Sequence, residues 1–347
     1  MSVSQLQRRV EIPSFDVPPF GHLQVMTGPR GLYEHSLYSR PRLEHGYSLD
    51  DNARALVAMS RAVAIGMDVP TDIGQRCLRF VLRAGAKDSW SDRQSSDGTW
   101  QMGATDDAIG RAMWGLGAAA GYWPDPEQRL RARRLLDRSH VKSGFWRPNA
   151  YAILGLTALH RIEPDNELLP RIRYHTNRLP PVRWKNPSWP WPEPVLTYDN
   201  ARLPEVMMAA GVCLGDEKMV EEGLALLSWL IELEASTDHF SFTPVSGRRQ
   251  GDPQGRFDQQ PIEAWAMVDA SCRAASVSED ASWFGWAELG LSWFMGNNDT
   301  GHCLYDSVSG GCYDGLTPTG PNLNRGAEST IAAMASRLAT IKGPDSP

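Results

Sequence analysis

Six segments of the sequence share one design, in which a polar cluster rich in Asp, Asn or Glu is followed directly by an Ala-rich apolar run. The segments are Gly46–Met59, Gly103–Trp114, Trp146–Leu154, Thr197–Met208, Gln260–Val268 and Asn324–Ala333. Their spacing of roughly 40 to 65 residues accommodates one pair of helices and its connecting loops. The repetition therefore predicts a chain built from six similar helical units.

Each apolar run predicts a helix that is buried on nearly all sides, because apolar residues surround it beyond the first turn. Amphipathic stretches lie between these runs and predict a second set of helices with one solvent face. They are Thr71–Arg83, Pro126–Leu136, Asn166–His175, Glu217–Leu233 and Glu279–Met295. Strand signals are sparse. Buried helices alternating with amphipathic ones predict an all-α fold, the (α/α)6 barrel or toroid of inner and outer helices.

A length of 347 residues suggests two domains at about 150 residues per domain. The six repeats instead predict one closed (α/α)6 barrel domain over residues 1–342. Residues 11–45 are rich in Pro and Gly, so we expect residues 1–45 to form an irregular lead-in. We expect residues 343–347 to be a disordered tail.

Charge and composition exclude several classes of partner. The formal net charge is −6 and no segment forms a basic stripe, which argues against a nucleic-acid-binding protein. No apolar run approaches the length of a membrane span, and the first residues lack the apolar core of a secretory signal. We therefore expect a cytoplasmic protein with no membrane insertion. The five cysteines form neither a disulfide framework nor a zinc pattern.

The N-termini of six parallel inner helices would lie together at one face of the barrel. Carboxylates are favoured there by the helix dipole and the free amides, so each acid can also be a simple helix cap. Acids without metal-ligand spacing indicate acid–base or nucleophilic chemistry on a neutral polar substrate. The candidate catalytic residues are Asp51, Asp107 and Asp50. The candidate substrate-binding residues are His45, Tyr47, Asn52, Asp106, Trp146, Asn149, Trp189, Trp191, Asp199, Asn200, Gln260, Glu263, Asn324 and Glu328.

Tryptophans in the connectors favour a carbohydrate substrate. Trp189 and Trp191 lie in the Pro-rich loop 185–192, ahead of Asp199, and Trp146 opens an inner helix. Sugar C–H faces stack on aromatic rings while sugar hydroxyls bond to acids and amides. Packing of these rings over the barrel rim is the alternative. Since nucleotide, flavin and metal fingerprints are missing from the sequence, we expect no cofactor.

Two resemblances follow from these residues. The stretches 32–35, 45–56, 257–265 and 311–330 resemble the helical-toroid domain found alone or attached to bacterial glycosyltransferases. The Asp-Asp-Asn-Ala at 50–53 is similar to the adjacent-aspartate motif of (α/α)6 endo-α-1,6-mannanases. That similarity implies that Asp50 is the nucleophile and Asp51 the general acid/base. The chain departs from the motif at Arg54, where those enzymes carry an aromatic residue.

The leading hypothesis is a glycoside hydrolase acting on a bacterial oligo- or polysaccharide, with mannose as a candidate unit. A sugar epimerase is an alternative, although the six inner-helix starts contain no histidine base. A phosphorylase is another, because Arg248, Arg249 and Arg256 lie in one loop and can bind an anion. The alternative from a different class is a non-catalytic sugar-binding partner of a glycosyltransferase. The sequence leaves sugar, linkage, stereochemical outcome and oligomeric state open.

Overall fold

The computed structural model describes residues 20–87 and 89–342. The predicted tail and the first 19 residues of the lead-in lie outside this part of the chain. The helices are α1 (Gly21–Val25), α2 (Leu49–Ala64), α3 (Thr71–Ala84), α4 (Asp106–Tyr122), α5 (Pro126–Arg138), α6 (Trp146–Ile162), α7 (Leu168–Thr176), α8 (Arg202–Leu214), α9 (Glu217–Glu234), α10 (Pro261–Ser278), α11 (Ser282–Phe294) and α12 (Ala327–Lys342).

The even-numbered helices form a closed inner ring. Each packs on the next, α2 on α4, α4 on α6, α6 on α8, α8 on α10 and α10 on α12, and α12 packs back on α2. The odd-numbered helices lie outside this ring, each against the inner helices beside it. The predicted (α/α)6 toroid is confirmed. In place of a full sixth outer helix, the five-residue α1 packs against α12, within the irregular N-terminal segment that the sequence predicts.

Short antiparallel strands lie in the loops that connect the helices. They are β1 (Ser36–Leu37), β2 (Arg40–Pro41), β3 (Tyr47–Ser48), β4 (Ser91–Gln94), β5 (Trp100–Met102), β6 (Val195–Leu196), β7 (Arg248–Arg249), β8 (Leu316–Thr317) and β9 (Gly320–Pro321). They pair as β1–β2, β3–β4–β5, β6–β7 and β8–β9. None of the described helices is both long and apolar enough to cross a membrane.

Hydroxyl side chains, rather than the acids, cap two of the inner helices. Ser48 accepts a hydrogen bond from the amide of Asp51, and Thr105 accepts one from the amide of Ala108. The paired aspartates of α2 and α4 therefore occupy the first helical turn, where the dipole favours negative charge. Because the hydroxyls do the capping, the carboxylates are available for other contacts.

The barrel axis is filled by a buried cluster of rings and charges. Trp114 of α4 and Trp265 of α10 stack with their centroids 5.4 Å apart, and the Arg202 guanidinium of α8 lies 4.7 and 4.8 Å from them. Asp269 of α10 pairs with Arg202 at 2.7 Å and with Arg61 of α2 at 2.9 Å. These five residues are buried. Four inner helices therefore meet at the axis and close it.

Candidate functional site

Contacts between different inner helices show that their N-termini share one end of the barrel. Arg54 of α2 pairs with Glu328 in the first turn of α12 at 2.8 Å. Arg111 of α4 pairs with Asp50 in the first turn of α2 at 3.1 Å. Each arginine lies about one turn further along its own helix than the acidic first turn and contacts an acid in the first turn of the neighbouring helix. Arginines of adjacent inner helices therefore join the first turns of α12, α2 and α4.

A cavity of about 310 Å³ opens among these N-termini. Four of the predicted site residues line it, Asp50, Asp51, Gln260 and Glu328. The other lining residues are Glu34, His35, Arg54, Asp314, Asn322, Gly326 and Ser329. The volume falls at the lower end of the range for small-molecule sites. Its lining of carboxylates, amides and hydroxyls suits a ligand with many hydroxyl groups.

The two adjacent aspartates at the start of α2 differ in their protonation. Burial raises the pKa of Asp51 to about 7, and this effect outweighs the nearby Arg54. Asp51 accepts a hydrogen bond from Ser48 at 2.6 Å and one from Arg54 at 2.9 Å. Burial also acts on Asp50, but the charges of Arg111 and Arg54 more than offset it and hold the pKa of Asp50 below its usual value. The cavity therefore holds one aspartate that stays ionised beside one that keeps its proton to a much higher pH.

Two further acids come from the loops around the cavity. Burial raises the pKa of Glu34, which pairs with Arg93 of β4. Burial also raises the pKa of Asp314, whose carboxylate accepts hydrogen bonds from the Gly326 amide at 2.6 Å and the Ser329 hydroxyl at 2.9 Å. Sequence reasoning did not select Glu34 or Asp314 as site residues. The one available signal was their presence in the stretches that resemble the helical-toroid domain.

The arginines were also missed. Arg54 and Arg111 each follow a paired aspartate of their own helix by three or four residues, so their side chains lie below the acids on the same face. Both are buried. Arg111 additionally donates to the Tyr151 hydroxyl at 2.9 Å. That spacing was the signal in the sequence that could have identified them.

Three predicted binding residues lie beside the cavity rather than in its lining. Tyr47 is buried and stacks on Tyr33 with centroids 4.4 Å apart. Asn52 is buried and holds the backbone of Leu32, whose amide donates to its side chain at 2.9 Å. His45 lies with its Nδ1 atom 2.9 Å from the Nδ1 of His35, which itself lines the cavity.

Asp107 lies 3.8 Å from the same Arg111 nitrogen that pairs with Asp50, and it accepts a hydrogen bond from the Tyr198 hydroxyl at 2.5 Å. Neither Asp107 nor Asp106 lines the cavity. The guanidinium carbon of Arg147 lies over the Trp146 ring, 4.2 Å from the ring centroid. The cavity thus contains the Asp50–Asp51 pair without the predicted third catalytic candidate.

A buried group of predicted residues joins α8 and α10. Asp199 has a positive φ of 53° and accepts a hydrogen bond from Tyr151 at 2.5 Å. The amides of Asp199 and Asn200 both donate to the Glu263 carboxylate. Burial, together with the negative charge of Asp199, raises the pKa of Glu263 well above its usual value. These contacts tie the loop before α8 to the first turn of α10.

The remaining predicted residues make contacts within the protein. Asn149 is buried and lies 2.8 Å from His175 of α7. Asn324 accepts a hydrogen bond from the Tyr38 amide at 2.9 Å. Trp189 and Trp191 are buried against Trp229 of α9. No described tryptophan lines the cavity. The two tryptophans of the Pro-rich loop pack onto an outer helix instead.

The arginine-rich loop also lies apart from the cavity. Arg248 donates to the Leu233 carbonyl at 2.6 Å, and the Arg248–Arg249 strand pairs with β6. Arg256 lies 3.6 Å from Asp299. The three arginines therefore do not converge on a common anion position at the Asp50–Asp51 pair.

Comparison with known proteins identifies the fold. No protein-family model and no curated protein matches the chain. Among solved structures, a sugar epimerase from a ruminal bacterium matches with a TM-score of 0.70 at 12% identity, covering 98% of this chain and 97% of that one. Cellobiose 2-epimerase from Bacillus thermoamylovorans matches with a TM-score of 0.68 at 11% identity, covering 96% and 98%.

An α-1,6-mannanase of Salegentibacter also matches, with a TM-score of 0.61 at 11% identity, covering 92% of this chain and 96% of that one. That structure is an inactive variant in which two adjacent aspartates are replaced by asparagine, in complex with α-1,6-mannotriose. These similarities extend over nearly the whole chain. At such low identity they establish the (α/α)6 architecture and leave the activity to be argued from the site.

Proposed function

We propose that the chain is a glycoside hydrolase that acts on an oligo- or polysaccharide, with Asp50 as nucleophile and Asp51 as general acid and base. The main support for this proposal is that the two carboxyl groups line one cavity and have pKa values shifted in opposite directions. The pKa of Asp50 is lowered and that of Asp51 is raised. Two acids whose environments separate their pKa values divide naturally into an ionised nucleophile and a proton donor. Neighbours on one helical turn suit the shorter carboxyl separation of retaining enzymes.

The proposed hydrolysis has two steps. Protonated Asp51 gives its proton to the glycosidic oxygen as the bond from that oxygen to the anomeric carbon breaks, while a carboxylate oxygen of Asp50 bonds to that carbon. Asp51, now ionised, takes a proton from a water molecule whose oxygen attacks the anomeric carbon and displaces Asp50. Asp51 thereby regains its proton, and the sugar leaves with its anomeric configuration retained.

Support for a mannose-containing substrate comes from two similarities. The Asp-Asp-Asn-Ala at 50–53 is similar to the mannanase motif, and the mannanase complex with α-1,6-mannotriose shares the fold. In that protein the inactive variant has two adjacent aspartates replaced. Asp50 and Asp51 are the adjacent aspartates of this chain that face the cavity.

The test is release of reducing ends from α-1,6-mannan, glucans and arabinans by wild type, Asp50→Asn and Asp51→Asn. We expect wild type to cleave one of these polymers and each variant to lose about 10²- to 10⁴-fold in kcat, as loss of an essential proton donor or nucleophile does. Asp72→Asn is the matched control, because Asp72 also lies in a helical first turn but on outer helix α3. Inactivity of wild type on every polymer, or full activity of Asp50→Asn, would refute the proposal.

A sugar epimerase or isomerase is the second candidate, favoured by one observation. His35 lines the cavity and has His45 as its partner, so an imidazole base is available at the mouth although none lies at the inner-helix starts. Epimerisation next to a carbonyl exchanges a carbon-bound proton with solvent. Incubation of mannose and cellobiose in deuterated water tests this directly. Deuterium incorporation by wild type, lost in His35→Asn and kept in Asp51→Asn, would favour this candidate over hydrolysis.

Both enzymatic proposals contrast with a sugar-binding partner of a glycosyltransferase. For such a protein, calorimetry would detect binding of mannotriose to wild type and to Asp51→Asn with equal affinity, and no product would form. Turnover by wild type that the variant loses would exclude a purely binding role.

A further inference from the structure

A second cavity lies on the outer wall, between helices α9 and α11, and the proposed catalytic chemistry does not use it. Its volume is about 390 Å³, within the range of small-molecule sites. Trp283 and Trp286 of α11 line one side, and Glu232 of α9 and the adjacent Ser236 line the other. We refer to this cavity as the α9–α11 groove.

The two tryptophans of the groove differ from the packed tryptophans of the protein. Trp191 stacks on Trp229 and Trp189 meets Trp229 edge-on, whereas Trp283 has no aromatic partner within the part of the chain described. Among the described aromatic rings, Trp286 lies near only Phe240, with the two ring centroids 6.1 Å apart. Both groove rings are half-buried. Since they are one helical turn apart, their exposed surfaces lie on the same side of α11.

The polar atoms of the groove are also available. Neither indole N–H donates to an acceptor in the described residues, and neither nitrogen is closed off from solvent. The exposed Glu232 carboxylate makes no described hydrogen bond or ion pair. Asp280 uses one carboxylate oxygen to accept from the Ser282 amide at 2.9 Å. The groove therefore presents unused donors and acceptors beside apolar ring surface.

This combination selects one class of ligand. Ring faces bind the C–H surface of a sugar, while indole N–H groups and carboxylates bind its hydroxyls. Glu232 and Asp280 supply negative charge, and among the described residues no lysine or arginine lines the groove, so a phosphorylated or uronic-acid ligand is disfavoured. We propose that the α9–α11 groove is a second saccharide-binding site that holds a neutral hexose unit of a glycan, apart from the cavity at Asp50 and Asp51.

The proposal is tested by affinity electrophoresis in gels that contain α-1,6-mannan, hydroxyethyl cellulose or soluble starch. The parent protein carries Asp50→Asn, so retention is measured without turnover and does not depend on the proposed hydrolase activity. We expect the parent to be retarded by one of these neutral polymers. We expect Trp283→Ala combined with Trp286→Ala to weaken that retention at least fivefold.

Trp184→Ala is the matched control, because Trp184 is an exposed tryptophan outside both cavities, and it is expected to leave retention unchanged. Should the double variant have a lowered Tm, Glu232→Gln and Trp283→Phe decide instead, since they alter the groove without emptying it and should weaken retention about twofold or more. Absence of retardation of the parent in all three gels would overturn the proposal. Equal retention by parent and groove variants would also overturn it.

Discussion

Asp50 and Asp51 are consecutive residues, yet their surroundings separate their chemistry. Burial disfavours the charged form of both, and each lies near Arg54. Asp50 has Arg111 as an additional cation, whereas Asp51 faces the negative charges of Glu34 and Glu328. The balance of neighbouring charges therefore decides which of the two groups holds the proton.

This difference predicts the pH dependence of hydrolysis. The proposed hydrolysis requires Asp50 ionised and Asp51 protonated, so kcat/KM should fall as pH rises through about 7, where Asp51 loses its proton. The acid limb should lie below the usual aspartate range, because the pKa of Asp50 is lowered. Steady-state rates from pH 4 to pH 9 should therefore show the alkaline limb and no loss of rate on the acid side of that range.

An activated aryl glycoside provides the internal control for that prediction. Its leaving group departs without protonation, so the alkaline limb should flatten for this substrate while it persists for the natural linkage. A natural-substrate rate that is constant up to pH 9 would contradict the assignment of Asp51 as proton donor.

Among the helices, α4 is packed most closely by its neighbours because glycines face them. A Cβ atom at Gly117 would overlap the carbonyl oxygen of Gly155 in α6, and one at Gly115 would lie 2.8 Å from the Ala53 carbonyl oxygen in α2. Both obstacles are backbone atoms, which cannot rotate away. The small residues of the inner helices thus set the distance between neighbouring helices of the ring.

We expect Gly117→Ala to lower the free energy of unfolding by about 1–3 kcal/mol, the usual cost of overpacking, despite the higher helix propensity of alanine. Urea denaturation measures the change. Gly144→Ala serves as the control, because a Cβ there meets no atom within 4 Å, and its effect should stay within about 0.5 kcal/mol. A stabilised Gly117→Ala variant would show that α4 and α6 can separate at no cost.

For the molecule as a whole, the contact between α12 and α2 joins the two ends of the repeat series. Open helical repeats contact only their neighbours and can unfold in parts. A closed ring has no terminal repeat, and the axial cluster links α2, α4, α8 and α10 directly. Closure therefore couples the six units.

We expect equilibrium unfolding in urea to follow a single transition, with tryptophan fluorescence and far-UV circular dichroism giving coincident curves. This also tests the prediction of one domain over residues 1–342. Arg54→Met, which removes the ion pair between α2 and α12, should lower the midpoint and keep the curves coincident. Two separated transitions in wild type would contradict the single-domain prediction.

How much the sequence could predict depended on how local each interaction is. Apolar runs after polar clusters mark inner helices because burial and helix starts are encoded within a dozen residues. The pairing of Arg111 with Asp50 joins residues 61 positions apart, so local pattern cannot reveal it. The loop position of Trp191 likewise did not disclose that Trp229 would cover its ring.

The filled axis has a consequence for the passage of polymer chains. Trp114, Trp265 and Arg202 obstruct the centre of the ring with side chains that are almost completely inaccessible to solvent. Under the proposed function, a glycan that enters at Asp50 and Asp51 cannot pass through the barrel and leave at its other end. Substrate and product would then share one opening, and each departing sugar would vacate the route by which the next one arrives.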